Sequence, residues 1–119
     1  MHKQLDVWNL AMEFVTDIYR MTKQFPADER FGMIDQMRRA AVSIPSNIAE
    51  GASRQTEKEF VQFLYIALGS AAEAETQMLI AVSLDYLKAI DTEYAKLQSI
   101  KRMLKALIKS KRLKHESNY

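Results

Sequence analysis

The chain has 119 residues, 48% of them hydrophobic and 27% charged, with a net charge of +2. That balance excludes a disordered chain and fits one domain with one core. The absence of cysteine excludes a disulfide framework and a thiolate metal site, and three glycines and two prolines argue for a few long elements over many short strands.

The 3.6-residue period predicts four helices. The first runs from about Lys3 to Gln24. Leu5, Trp8, Met12, Val15 and Tyr19 recur at steps of three and four, and Ala11, Phe14 and Ile18 widen the stripe. Phe25 and Pro26 end it, and Asp28 is the candidate N-cap of the second helix, which reaches Glu50. Its buried stripe is Ile34, Met37, Ala41, Ile44 and Ile48, with Gly51 as the helix stop. Thr56 to Glu59 reads as a capping box that opens the third helix, which continues to about Asp85. The fourth starts near Asp91 and runs at least to Lys109, with Ile100, Met103, Leu104 and Leu107 on one face. Short connections make successive helices antiparallel, so the expected fold is an all-α, up-down four-helix bundle over residues 1–110. Residues 111–119 are expected to form a basic, frayed tail.

Two segments strain this scheme. Residues 60–72, FVQFLYIALGSAA, are apolar nearly all the way round, whereas each helix of a monomeric bundle keeps an outward face. The surplus face predicts self-association, the alternative being a monomer with exposed apolar residues. Ala67, Gly69, Ser70, Ala71, Ala72 and Ala74 form a small-residue stretch that suits close approach of helix backbones. Within RRAAVSIPSNIAEG, residues 38–51, Pro45 falls inside a helical pattern. Proline lacks an N–H and its ring crowds the carbonyl four residues back, so a kink is expected. Arg39, Ser43, Asn47 and Glu50 lie within about 80° of one another, opposite the apolar stripe. Ser43, Ser46 and Asn47 are suited to bond the loosened backbone. The polar residues are either local repair of the kink or a seam where a subunit or ligand docks.

Little suggests catalysis. His2 and His115 lie near the chain ends, no Glu-x-x-His pair offers di-iron ligands, and the glycines stand too far apart for a phosphate loop. The expectation is no enzyme, no metal and no cofactor. Glu73 and Glu75 are expected to supply a carboxylate that pairs with Arg38 or Arg39. No apolar signal core or bilayer-length run occurs, so a cytoplasmic protein without membrane contact is expected.

Charge gives the best functional lead. Residues 1–100 hold ten Lys/Arg and fourteen Asp/Glu, whereas residues 101–119 hold seven and one. On the fourth helix Lys101, Lys105, Lys109 and Arg112 fall within about 80° of one another, with Arg102 beside them and Lys111 following. Such a row neutralises phosphates and binds nucleic acid in a salt-sensitive, largely sequence-independent way. The competing reading is a solvated face that complements the helix dipole. No aromatic residue but Tyr119 is interleaved in that segment, which leaves base stacking unsupported.

The block S-I-P-S-N-I-A-E-G (Ser43 to Gly51), with Arg38 and Arg39 before it, is followed by Phe60, Phe63, Leu64, Ile66, Ala67, Gly69 and Ser70, and by LDYL at 84–87. From about Leu5 to Lys109 the chain resembles the bacterial four-helix bundle family called 23S rRNA-intervening-sequence proteins. The resemblance implies an antiparallel bundle that assembles as a homopentameric ring. It also implies that Arg38, Ser43, Pro45, Asn47, Glu50, Gly51, Gly69 and Ser70 serve helix shape and subunit packing. A related branch, the accessory protein of diversity-generating retroelements, is a basic pentamer that binds nucleic acid and a reverse transcriptase. This chain differs in having an acidic body and a basic end. Together these features predict a non-catalytic homo-oligomeric scaffold for structured RNA or another nucleic acid. The alternative is a protein-interaction adaptor that touches no nucleic acid.

Overall fold

A computed structural model describes residues 2–117, with side chains described for 4–114. Four helices, α1 (His2–Thr22), α2 (Met33–Ala52), α3 (Glu57–Ser83) and α4 (Asp91–Ser117), are joined by short connections, and a 3₁₀ turn (Ala27–Glu29) precedes α2. Each helix packs on its neighbours in sequence and α1 closes against α4, giving an up-down bundle 53 Å long.

The core runs along the axis through Phe14, Ile18, Met37, Ile44, Ile48, Leu64, Met78, Leu97, Ile100 and Leu104, all almost fully buried. Each such side chain contributes about 1.5–3 kcal/mol by leaving water. The predicted stripes of α2 and α4 lie on this axis, although Ile34 and Met103 are only half-buried. The α1 stripe is corrected. Val7, Ala11, Phe14 and Ile18 point inward, while Leu5, at 49% exposure, Met12 and Tyr19 point out and Trp8 and Val15 are half-buried. Both lines have helical spacing and lie about 120° apart round the helix. Packing against both α2 and α4 selects the inward one.

The ends of the helices also revise the expected boundaries. Asp28 sits in the 3₁₀ turn instead of capping α2. Gly32 precedes the first turn of α2, and the Met33 amide donates to Glu29 Oε1 at 3.3 Å. Thr56 does cap α3: Oγ1 accepts from the Glu59 amide at 3.1 Å and donates to Glu59 Oε1 at 3.0 Å. Helix α3 closes with the Tyr86 amide bonded to the Ala81 carbonyl at 2.9 Å and the Asp85 amide to that of Val82 at 3.0 Å. This is a Schellman motif in which Asp85, at φ 63°, holds the left-handed position usually given to glycine.

Gly51 does not stop α2, which continues through it to Ala52 with Ser53 as the C-cap. It is buried where α2 meets α3, and a Cβ there would lie 2.7 Å from Phe63 Cβ and 2.8 Å from Phe60 Cδ1. Gly51 is therefore a contact point between backbones. Gly69 is the opposite case, an exposed position where a Cβ would meet nothing within 4 Å. Of the small-residue stretch, Ala67, Ala71 and Ala74 are buried inside the chain. Helix α4 is continuous past residue 110, where the tail was expected to begin, and runs to Ser117; residues 118–119 lie outside the described residues.

Candidate nucleic-acid interface

Helix α2 continues unbroken through Pro45, which is buried. The neighbouring polar residues bond within the chain. Asn47 Nδ2 donates to the Ser43 carbonyl at 2.8 Å and to Ser43 Oγ at 2.9 Å, and Ser43 and Ser70 share a hydroxyl hydrogen bond of 2.8 Å. The motif residues Ser43, Asn47 and Ser70 thus tie α2 to α3, while Ser46 faces outward. Arg38 also works inside the bundle. Its Nε donates to Thr22 Oγ1 at 2.9 Å, and its guanidinium lies 4.4 Å from the centre of the Tyr19 ring. Exposed Arg39 pairs with Asp35 at 3.0 Å, and Glu50 with Arg54 at 3.3 Å.

The expected pairing of Glu73 or Glu75 with these arginines is not found. Glu75 instead accepts from Lys101 Nζ at 2.6 Å and from Tyr94 OH at 3.1 Å, and Glu73 accepts from Gln77. Arg38 stands on α2 toward α1 and Arg39 bonds along α2 to Asp35, whereas Glu75 lies on the side of α3 that meets α4. The Lys101 ammonium holds the Glu75 carboxyl below its usual range, and Glu75 in turn pushes the Tyr94 hydroxyl up.

The six candidate cations of α4 differ in their partners. Lys101 is neutralised by Glu75. Lys111 lies 3.4 Å from Glu57 Oε2 and 5.3 Å from the centre of the Phe60 ring, so the expected tail begins packed on α3. Arg102 is exposed and donates to Ser99 Oγ at 2.9 Å. The other three converge. Lys105, Lys109 and Arg112 line a surface groove of about 320 Å³ with Tyr65, Leu68, Ile108 and Leu113, and among the described residues no carboxylate lines it. Lys105 and Lys109 make no ion pair among the described residues. Arg112 Nη1 donates to Tyr65 OH at 3.1 Å.

Tyr65 is the residue that sequence reasoning missed. It is 48% exposed and brings an aromatic ring into the basic face from another helix. The antiparallel register gave a signal: from the Glu75–Lys101 pair, ten residues back along α3 and eleven forward along α4 reach Tyr65 and Arg112. Among the described residues no group of three His, Cys, Asp or Glu side chains is placed to hold a metal ion, and no helix is long and apolar enough to cross a membrane. The side chains of His2 and His115 lie outside the described residues, as does Tyr119.

By its helix order and packing the molecule is an all-α up-down four-helix bundle with a cationic groove on its α3–α4 face. The family model of the 23S rRNA-intervening sequence proteins matches residues 3–106, and the chain belongs to that family. The crystal structure of a protein of unknown function from the S23 ribosomal protein family of Bacteroides thetaiotaomicron is similar, with a TM-score of 0.83 and 26% identity. The alignment covers 90% of this chain and 98% of that one. No curated protein matches the chain.

Proposed function

We propose that the protein is a non-catalytic homo-oligomeric scaffold, a ring of five copies, that binds structured RNA or another nucleic acid through α4. The observation that carries the nucleic-acid reading is the groove in which Lys105, Lys109 and Arg112 stand around Tyr65 with no carboxylate of the described residues among them. Its cations offer phosphates an uncompensated charge, and copies in a ring strengthen weak single contacts through avidity.

Self-association draws support from two separate apolar faces. Leu5, Met12, Tyr19 and Val42 are exposed along α1 and α2, beside grooves lined by Trp8, Val15, Pro45 and Ala49. Ile66 and Ile80 are exposed on α3 and Leu84 at its C-cap, on the half of its outer surface turned toward α2, with Gly69 open between Ile66 and Ile80. Two different faces on one subunit suit head-to-tail contacts, which close into rings. Tyr65 lies on the other half of α3, toward α4, so the groove and the α3 face are compatible. A protein-interaction adaptor is the second reading, favoured by the apolar α1–α2 grooves.

The test combines sedimentation velocity with fluorescence anisotropy on a labelled structured RNA across salt. The proposal expects an oligomer at micromolar concentration and RNA affinity that falls steeply with salt. A clean monomer removes the ring. An oligomer without RNA affinity at low salt leaves the adaptor.

A further inference from the structure

We infer that the α3–α4 groove takes unpaired nucleotides, with one base stacked on Tyr65 and its flanking phosphates on Lys105, Lys109 and Arg112. This rests on the nucleic-acid reading above and adds which form of nucleic acid the site selects.

Three observations lead there. The first is the composition of the groove. Tyr65, Leu68, Ile108 and Leu113 supply apolar surface, and three cations from α4 stand around it. Phosphate attraction alone needs the cations and no ring. A base needs an apolar or aromatic surface, which is how proteins hold single strands. The second is the placement of the ring. Arg112 donates to Tyr65 OH at 3.1 Å and tethers the ring by its polar tip, while nearly half of the residue stays open to solvent. The third is size. A volume of about 320 Å³ is at the low end for ligand sites, which span about 300–1,000 Å³. It is of a size for a single base, and a duplex, whose bases are stacked on one another and present only edges, offers the Tyr65 ring no open base face. Lys105 and Lys109 are one helical turn apart, a rise of about 6 Å, so they can meet successive phosphates of an extended strand. In a structured RNA the matching elements are loops, bulges and ends.

The experiment is anisotropy with the full chain, using a labelled single-stranded oligonucleotide, the duplex of the same sequence and a poly-glutamate peptide, at one low salt concentration. Wild type, Tyr65→Leu and Tyr65→Phe are compared, each checked by circular dichroism. The single strand is expected to bind at least about fivefold tighter than the duplex. Tyr65→Leu is expected to lose about tenfold on the single strand and under about twofold on the duplex, as removal of one stacking platform implies. Tyr65→Phe, which keeps the ring and loses the tether, is expected to stay within about threefold of wild type. Equal binding of strand and duplex, or an equal loss on both in Tyr65→Leu, overturns the inference and leaves salt-sensitive nucleic-acid binding standing. Tighter binding of poly-glutamate than of the single strand overturns it in favour of an acidic peptide. Absence of binding to either nucleic acid removes the underlying reading as well.

Discussion

Replacing Gly51 with alanine sets a gain in helix propensity against a larger packing cost. Alanine is favoured over glycine inside a helix by about 1 kcal/mol. Against this, the new Cβ would lie 2.7 Å from Phe63 Cβ, 2.8 Å from Phe60 Cδ1 and 3.2 Å from the Phe60 carbonyl oxygen. A Cβ and a backbone carbonyl cannot swing away as a side-chain tip can, so α2 and α3 must separate locally. The core seam they share includes Ile44, Ile48, Leu64 and Ala67. Overpacking costs about 1–3 kcal/mol, and here, where backbone must move, about 2–3 kcal/mol. Gly51→Ala should therefore destabilise the protein by about 1–2 kcal/mol net, lowering Tm by about 3–10 °C in a domain of this size. The assay is a thermal melt and a urea titration of wild type and variant at one fixed concentration, since self-association makes Tm concentration-dependent. An unchanged or raised Tm would refute the claim that Gly51 is a backbone contact and restore it to an ordinary helix position.

Three further outcomes follow from other elements. Gly69→Ala, with nothing near its Cβ inside the chain, should stabilise the isolated subunit by about 1 kcal/mol and weaken assembly; sedimentation showing unchanged assembly would take Gly69 out of the interface. Asp85→Gly relieves a left-handed aspartate and should raise stability by about 0.5–1 kcal/mol in a denaturant titration, whereas a loss would mean that the Asp85 side chain contributes more than its backbone strain costs. Glu75 has its carboxyl pulled below the ordinary value of 4.5 by Lys101, so its contribution is present above about pH 4.5 and is lost as pH falls through the lowered value. Glu75→Gln should thus be less stable than wild type at pH 7 and converge with it in strong acid, and two parallel stability–pH curves would contradict the pairing.

Much of the fold is written locally, and the site is not. The Thr56–Glu59 cap needs only four neighbouring residues, and α3 starts where that box predicts. The axis of α2 follows from one stripe with no rival. Helix α1 carries two apolar lines, and only the positions of α2 and α4 decide which is core. Gly51 reads as a helix stop because a glycine followed by polar residues usually is one; the contact that requires it comes from Phe60 and Phe63 on another helix. The same limit applies to charge. One helix wheel lines up Lys101, Lys105 and Lys109 as equals, and a carboxylate on α3 then removes Lys101 from the set. Tyr65 joins the basic face only through the α3–α4 register.

The central claim is that nucleic-acid affinity resides in the uncompensated cations of the groove and not in the charge of α4 as a whole. The most direct measurement is the salt dependence of RNA binding for the variant Lys105→Gln, Lys109→Gln, Arg112→Gln beside the variant Lys101→Gln, Lys111→Gln. Each lost phosphate contact lowers the slope of log affinity against log salt by about 0.7–0.9, so the first variant should lose about two to three units of slope and most of its affinity. In the second, both lysines are already engaged by Glu75 and Glu57, and the slope should stay near that of wild type. Equal losses per charge in the two variants would contradict the account and make the basic end a diffuse field.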